Sequence, residues 1–426
     1  MFKSFPPPNF IPTESAVTGI EVYQPAPEET TQDRPVVEFK CPQCMAATAY
    51  SATDGGLTCT HCGYYEPPSQ AVVGKGAEAF NFSAKNLKRA AHGWGTSRKE
   101  LQCQNCGAYT SVPPDSLTHT CPFCNSNNVI QREAPHDLLR PRFLVPFKIE
   151  ADQCIEPVRE WLGSSWMTPG SLNEVASVGS FTGIYLPFWT FDSTTKASWR
   201  AEVGHTKIES YYSNGKRKTR TKTVWKWESG DVTCNHDDLL ITGTNRLSKL
   251  LLNRLRDGFD TNALALYEPQ YLAGYQAQAY DIQLEEAWET GRHEMRETTR
   301  QACRDQASTS QIRNFSMSLR FKDENWRYIL LPIFIATYSY GDQSYQVMVN
   351  GQSGLVSGQR PVAWWKIWLA GTVMVTPGIL LCLMGIATLI FGGVGLPIGI
   401  VGFILLVLGI VGVAWLVGQA NALDDI

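Results

Sequence analysis

Two long, uncharged apolar runs near the C-terminus constrain the fold of this chain more than any other feature. They extend from Ile367 to Ile390 and from Leu396 to Val417, and neither contains Asp, Glu, Lys, Arg or His. At about 1.5 Å per residue, a helix of either length can cross a hydrocarbon core of roughly 30 Å. The turn FGGVG between them is too short for a folded domain. We therefore predict a two-helix transmembrane hairpin over residues 363–418, followed by a C-terminal tail at 419–426.

The residues that flank the first run predict the orientation of the hairpin. Arg360 and Lys366 precede this run, whereas the turn between the runs has no basic residue, and basic flanks favour the cytoplasmic side. Trp364, Trp365 and Trp368 lie at the entry to the first run, where indole rings favour the headgroup level. We expect a multi-pass protein of the inner (cytoplasmic) membrane with two spans and with both the N-terminal domains and the C-terminus in the cytoplasm.

The two runs are predicted to be an anchor. They lack the ionisable side chains that a proton or ion pathway uses, and Gly395 and Gly399 form a small-xxx-small pair that favours close helix packing. A hairpin buried inside a soluble core is the alternative. We disfavour it because adjacent apolar runs of this length are rare in soluble proteins.

The N-terminal part of the chain contains two cysteine clips with identical spacing. In each clip, two Cys-x-x-Cys pairs are separated by fourteen residues. The thiols are Cys41, Cys44, Cys59, Cys62, Cys103, Cys106, Cys121 and Cys124. Two such pairs can surround one metal ion as a tetrahedron of sulfurs. We predict two zinc ions in two small zinc β-ribbons, at residues 39–66 and 101–130, joined by a linker at 67–100.

Structural zinc is the favoured role of the clips, because a site closed by four thiolates leaves no open position for a substrate. Gly63 and Gly107 follow their Cys-x-x-Cys pairs and suit the left-handed backbone of such turns, whereas Met45 replaces this glycine in the first turn. Rubredoxin-like iron remains an alternative. Thiol redox chemistry is disfavoured because the βαβ context that accompanies it is missing.

The overall charge argues against a nucleic-acid-binding surface that covers the whole protein. The net charge is −3 and the pI is about 6.2, and the two clips contain few basic residues. The linker between them is more basic, with Lys85, Lys88, Arg89, Arg98 and Lys99. These side chains can contact phosphate, and a solvated linker explains them equally well.

Residues 131–362 are predicted to form an α+β domain with a mainly antiparallel sheet, and the proline-rich, acidic residues 1–38 a disordered tail. The overall prediction is a multidomain protein. Apolar residues at helical spacing predict two helices, one with Cys154, Ile155, Val158, Trp161 and Leu162 on a single face and one with Leu247, Leu250, Leu251 and Leu255. A longer polar helix is predicted over residues 281–305. The alternating segment FSMSLRF and the segment YILLPIFIATYSY are among those that predict strands.

One predicted hairpin, YYSNGKRKTRTKTVWKW, is strongly basic and turns at Asn214-Gly215. Its basic residues are Lys216, Arg217, Lys218, Arg220, Lys222 and Lys226. Beside a membrane, such an edge can contact anionic headgroups with about 1 kcal/mol per basic residue. The alternative is that these residues protect a sheet edge against aggregation.

The sequence predicts no enzyme and no small-molecule substrate, because it lacks the familiar phosphate-loop, dinucleotide-binding, zinc-protease and hydrolase motifs. His236, Asp237 and Asp238 are the nearest approach to a catalytic cluster, and a loop or a helix cap explains them better. The other cysteines, Cys154, Cys234, Cys303 and Cys382, are expected to be inert.

Several segments resemble the bacterial membrane-anchored TFIIB-type zinc-ribbon proteins, a family often labelled primosomal protein N′ (replication factor Y) related. The resemblance rests on the CGA at 106–108 and on segments that begin at Tyr185, Leu266 and Leu330. They read YLPFWTFDSTTKASW, LYEPQYLAGYQAQAYD and LLPIFIATYSYGDQSYQVMVNGQSGLVSGQRP. The resemblance implies zinc on the eight clip cysteines, an integral membrane location, and partners of the membrane-stress type, including phage shock protein A. The helicase label gains no support, since the phosphate loop is missing.

These observations lead to a ranked set of functions. The first is a non-enzymatic adaptor or scaffold at the cytoplasmic face of the membrane, in contact with membrane lipid and with a protein partner of the membrane-stress type. The second is a membrane-tethered nucleic-acid-binding protein that uses the ribbons and their linker. An enzyme of unfamiliar type comes third.

Overall fold

The structure is a computed structural model that describes most of the chain. The described residues are 10–13, 22–25, 39–68, 73–74, 80–81, 99–105, 107–112, 121–123, 126, 129–133, 139–170, 172, 177–178, 180–213, 216–341, 343–390 and 395–424. The helices are α1 (Ile155–Gly163), α2 (Lys249–Arg256), α3 (Leu284–Gln306), α4 (Trp364–Ile390) and α5 (Gly395–Asp424).

The strands are numbered in chain order. The short strands before the main domain are β1 (Phe10–Thr13), β2 (Val22–Pro25), β3 (Ala49–Ser51), β4 (Gly56–Thr58), β5 (Tyr65–Glu66), β6 (Phe80–Asn81), β7 (Lys99–Cys103), β8 (Tyr109–Val112) and β9 (Val129–Glu133). The others are β10 (Phe143–Leu144), β11 (Ser177–Val178), β12 (Thr182–Ser213), β13 (Lys216–Thr242), β14 (Ala265–Leu266), β15 (Gln276–Ala277), β16 (Ile312–Tyr340), β17 (Gln343–Asn350) and β18 (Val356–Gly358).

Three very long antiparallel strands form the centre of a 13-stranded sheet. Strand β12 pairs with β13 on one side and with β16 on the other. The predicted segments FSMSLRF and YILLPIFIATYSY both lie in β16, which is 29 residues long. A residue with positive φ, Asp323, lies between these two segments. The prediction of a domain with a mainly antiparallel sheet is confirmed, with short parallel pairings at β10 and β15.

Helix α3 covers one face of the long strands and closes the main core. Gly291 makes the close approach possible, because a Cβ atom there would lie 3.0 Å from the Phe191 ring. Trp189 is fully buried beneath this layer and donates its indole N–H to the carbonyl oxygen of Ile282 at 3.0 Å. Burying an aromatic side chain of this size contributes on the order of 2–3 kcal/mol.

The structure corrects the predicted faces of two helices. In α1, Val158 and Leu162 are buried, whereas Ile155 is exposed. In α2, Leu252 is fully buried, whereas Leu250, which the spacing assigned to the core, is half exposed. Apolar residues at adjacent positions leave the face of a short helix ambiguous, and contact with the sheet decides it.

Helices α4 and α5 pack antiparallel through glycines at seven-residue spacing. A Cβ atom on Gly378 would lie 2.5 Å from the backbone nitrogen of Leu406, and one on Gly385 would lie 2.6 Å from that of Gly399. Gly402 approaches Cys382 as closely. The predicted pair Gly395 and Gly399 therefore lies within a longer interface, which holds the backbones of the two helices in contact.

Both cysteine clips pack against the main domain. Strands β3, β4 and β5 of the first clip form a small separate sheet. Strands β7, β8 and β9 of the second clip continue the central sheet through β15. Further upstream, β1 and β2 pair with each other inside the segment that was predicted to be a disordered tail.

Candidate metal centre and membrane anchor

The first clip brings four thiols together. Cys41 Sγ lies 3.4 Å from Cys62 Sγ, and Cys44 Sγ lies 3.5 Å from Cys59 Sγ. All four sulfurs lie within 4.8 Å of one another. A tetrahedral zinc ion with Zn–S distances of about 2.3 Å requires sulfurs about 3.8 Å apart. The arrangement therefore fits a four-coordinate metal ion, as the spacing predicted.

The backbone around each half of the clips follows one pattern. The amide of the first cysteine donates to the carbonyl oxygen five residues later, in Cys41 to Ala46 (2.7 Å) and Cys59 to Tyr64 (2.9 Å). The same bond recurs in the second clip, in Cys103 to Ala108 (2.9 Å) and Cys121 to Ser126 (2.8 Å). All four turns thus have the hydrogen bonding of a metal knuckle.

The conformation of the knuckles matches the prediction from their glycines. Gly63 and Gly107 have φ values of 74° and 70°, and Met45 has a φ of 61°. A side chain in the left-handed region costs about 1–2 kcal/mol. Met45 is also exposed to solvent, so burial of its side chain does not compensate for this strain.

One thiol of the first clip is acidic. Hydrogen bonds from the backbone amides of Cys62 and His61 lower the pKa of the Cys59 thiol to about 6. Thiolates, rather than thiols, bind metal ions. The knuckle backbone therefore prepares this sulfur for coordination.

The second clip is only partly described. Cys103 and Cys121 are both buried and belong to the core cluster that also contains Leu247 and Leu251. Cys106 and Cys124 lie outside the described residues. The described part of the second clip thus shares the knuckle hydrogen bonds of the first clip and contributes two of its four thiols.

Glu150 of the main domain fixes the loop of the first clip. Its Oε1 accepts hydrogen bonds from the amides of Ala52 (2.6 Å) and Thr53 (3.3 Å). Nearby, the Tyr50 ring packs at 5.1 Å from that of Tyr271. A carboxylate that accepts two backbone N–H bonds forms charge-assisted hydrogen bonds. The first clip is thus held as a rigid part of the domain.

The anchor joins the domain through the loop after α1. The amide of Ala363 donates to Met167 O at 2.8 Å, and Lys366 Nζ donates to Thr168 O at 2.7 Å. Arg360 is buried and stacks on Trp161 at 3.8 Å, and burial lowers its pKa to about 10. The two basic residues that suggested the orientation therefore hold the anchor to the domain.

The outer surfaces of α4 and α5 are apolar. Both helices are long and apolar enough to cross a membrane, and 17% of the most apolar stretch of each is buried within the structure. A core hairpin of a soluble protein would be mostly buried. At the base of the hairpin, Trp365, Trp368 and Trp166 are exposed. No local pattern in the sequence marks Trp166, whose carbonyl oxygen lies 3.3 Å from Lys366 Nζ.

The basic residues lie on β13, which pairs with β12 alone among the described strands and therefore forms an edge of the sheet. Directly opposed residues share a face, and the register places Lys218, Arg220, Lys222 and Lys226 on one face and Arg217 on the other. These five side chains are exposed. The Asn214-Gly215 turn and the side chain of Lys216 lie outside the described residues. The opposite face carries exposed apolar residues, Ile208, Tyr212, Trp225 and Trp227.

The basic hairpin and the anchor lie at opposite ends of β12. The anchor follows β18, which pairs with β17 near the start of β12, whereas the hairpin tip is at Ser213. The 32 residues of β12 correspond to roughly 100 Å of strand. Contact between this tip and lipid therefore requires the strands to lie along the membrane.

The candidate catalytic cluster has a structural explanation. Asp238 and Asp192 both pair with the buried Arg327, which lies 3.1 Å from Asp192 Oδ2. Asp238 lies in β13 with a φ of 54°, and not in a loop or a helix cap. His236 Nε2 lies 3.0 Å from Thr195 Oγ1, and burial lowers its pKa. A single guanidinium thus pairs with both carboxylates.

Two of the isolated cysteines are deeply buried. Cys154 and Cys303 are fully buried, and burial raises the pKa of both thiols. A buried neutral thiol is a poor nucleophile. Cys234 and Cys382 are half-buried.

Comparison with known proteins adds one relative. No family model matches the chain, and no solved structure matches it. The chain is similar to the uncharacterized protein YdjG of Bacillus subtilis (strain 168), with 24% identity over 361 residues. The alignment covers 84% of this chain and 99% of YdjG. The similarity therefore extends over nearly the full length of that protein.

Proposed function

We propose that this protein is a non-enzymatic adaptor, anchored in the inner membrane, that holds two zinc ions and presents its α+β domain at the cytoplasmic face. The proposal rests mainly on one observation: the domain that carries the converging thiols is bonded directly to the base of two apolar helices. An adaptor needs a rigid domain fixed near the membrane, and this arrangement supplies one.

Zinc is the metal that the thiols fit best. The sulfur separations suit a tetrahedral ion, and four thiolates close the site to substrate. When bound, zinc crosslinks the two knuckles of a clip. Cys41, Cys44, Cys59 and Cys62 would hold one ion, and Cys103, Cys106, Cys121 and Cys124 the other. The shared knuckle hydrogen bonds support the second site.

A cytoplasmic orientation agrees with the thiol chemistry, because thiolate sites persist in a reducing compartment. The resemblance to membrane-anchored TFIIB-type zinc-ribbon proteins suggests a protein partner of the membrane-stress type, such as phage shock protein A. The basic hairpin would add contact with anionic lipid.

The proposal is tested on full-length protein in membranes. We expect the protein to stay in the membrane pellet after alkaline carbonate extraction and to contain two zinc ions per chain by elemental analysis. Replacing Cys41 and Cys59 with Ser is expected to remove one ion, whereas Cys303→Ser is expected to leave both. Protein in the supernatant, or metal-free protein, would contradict the proposal.

The adaptor role is tested with a purified partner. Vesicles that contain the protein are expected to co-sediment phage shock protein A more strongly than empty vesicles do. If oligonucleotides bind instead, with an affinity that falls steeply as salt rises, the nucleic-acid alternative replaces the adaptor.

A further inference from the structure

A groove with arginines along one wall runs between α3 and the first part of β16. Arg296, Arg300 and Arg304 recur at four-residue spacing and therefore lie on one side of the helix. They line an open groove of about 690 Å³. Its floor is apolar and consists of Phe315, Met317 and Leu319.

The groove has a clear positive excess. Glu297 pairs with Arg300, and Glu202 pairs with Arg313 at the end of the groove. Arg304 stacks on Phe315 at 5.5 Å. In the part of the chain that the structure describes, neither Arg296 nor Arg304 has an ion-pair partner. Two guanidinium groups are thus available to an anionic ligand.

The floor of the groove ends at a strand edge that has no partner among the described strands. From residue 312 to 324, β16 pairs with β12 alone among the described strands. Immediately beyond, at Asn325 and Trp326, the same edge accepts the antiparallel strand β6. A free edge presents a row of backbone donors and acceptors to an added strand.

Charge restricts what can occupy this edge. On the outer face of β16, Arg320 and Lys322 are exposed and also basic. A second copy of the same edge would bring like charges together. Residues 82–98, which follow β6 in the chain, include Lys85, Lys88 and Arg89 and no acidic residue, so their charge has the same sign as that of the groove. An acidic strand meets favourable charges on both faces.

We propose that this groove binds an extended, acidic segment of a protein partner, which adds to the edge of β16 as an antiparallel strand. Acidic side chains at alternate positions of the segment point to the α3 side of the added strand and reach Arg296 and Arg304, and the intervening side chains point to the opposite face. The proposal gives the adaptor a partner-binding surface. The proposal rests on the adaptor function for the nature of the partner. Binding of an isolated peptide to the groove requires neither zinc nor the adaptor function.

The test uses full-length protein in nanodiscs and a fluorescent peptide of alternating Glu and Val. About ten residues span the edge at about 3.3 Å per residue. We expect binding about tenfold or more tighter than that of the matching Lys–Val peptide. The double variant Arg296→Gln/Arg304→Gln is expected to weaken binding about tenfold or more, because it removes both unpaired positive charges from the groove. Arg159→Gln on α1 is the control and is expected to bind normally.

Strand addition makes one further demand on the peptide. N-methylation of alternate amides on one edge of the peptide is expected to abolish binding, and N-methylation on the other edge to preserve it. Three results would each overturn the proposal. The two methylation patterns could have equal effects, the acidic and basic peptides could bind equally, or an oligonucleotide of equal charge could bind more tightly than the acidic peptide. The metal and membrane assays do not depend on this result.

Discussion

The side-chain ammonium of Lys366, in the first turn of α4, donates a hydrogen bond of 2.7 Å to the carbonyl oxygen of Thr168 in the loop after α1. It also lies 3.3 Å from the carbonyl oxygen of Trp166. Lys366 thus fastens the start of α4 to the folded domain.

Replacing Lys366 with Met is expected to loosen this junction. Loss of a hydrogen bond to a charged group costs about 1.5–3 kcal/mol, so residues 164–170 become accessible more often. Limited proteolysis of the detergent-solubilised protein measures this as faster cleavage within that loop. Lys366→Arg keeps the positive charge and N–H donors for both carbonyl oxygens. The loop of this variant is expected to be cleaved at the normal rate. Unchanged cleavage of the Met variant would show that the hydrogen bond contributes little.

The variant Met45→Gly is expected to tighten metal binding at the first clip. The left-handed conformation of Met45 costs about 1 kcal/mol that glycine avoids, and little side-chain burial is lost. Competition with a zinc chelator should show about fivefold tighter binding. Met45→Ala retains the strain and serves as the control. Equal zinc retention by Gly and Ala variants would contradict the account.

The variant Gly378→Leu is expected to separate the two helices of the anchor. Its Cβ atom would lie 2.5 Å from the backbone of Leu406, and overpacking costs about 1–3 kcal/mol or more. Thermal unfolding in detergent measures the loss of stability. Gly418→Leu is a matched control, because nothing lies within 4 Å of a Cβ atom there. If both variants melt alike, the glycine interface is not what holds the hairpin.

Neutralising the basic hairpin is expected to weaken lipid binding. The six replaced residues are Lys216, Arg217, Lys218, Arg220, Lys222 and Lys226. With about 1 kcal/mol per basic residue close to the surface, a fragment lacking residues 363–426 should bind anionic vesicles at least about tenfold more weakly. Neutral vesicles are the control. Unchanged binding would support the protective role of these charges at a sheet edge.

His236 is expected to make stability depend on pH. Burial lowers its folded-state pKa, whereas the unfolded side chain titrates near about 6.5. As pH falls through this value, the unfolded state takes up the proton first, so the free energy of unfolding decreases. His236→Gln is expected to reduce the loss of stability between about pH 7.5 and 5.5, and the exposed His293→Gln is expected to leave it unchanged. Chemical denaturation at both pH values measures the free energy of unfolding of each variant. An equal loss of stability in the wild type and in His236→Gln would contradict the prediction.

Local patterns in the sequence determined the features that depend only on residues close together in the chain. The spacing of Cys41, Cys44, Cys59 and Cys62 predicted their convergence, and the uncharged runs predicted α4 and α5. The alternation of FSMSLRF predicted one part of β16. Each of these signals depends on periodicity or on ligand spacing, which a single segment carries by itself.

Only the tertiary structure decided how these elements meet. It placed Lys366 on Thr168, Glu150 under the first clip, and Arg296 in the groove beside β16. It also placed Lys218, Arg220, Lys222 and Lys226 on one face of a hairpin, at the end of β12 that is far from the anchor. Such contacts join residues that are distant in the chain, and their energies depend on burial and geometry that no local pattern records.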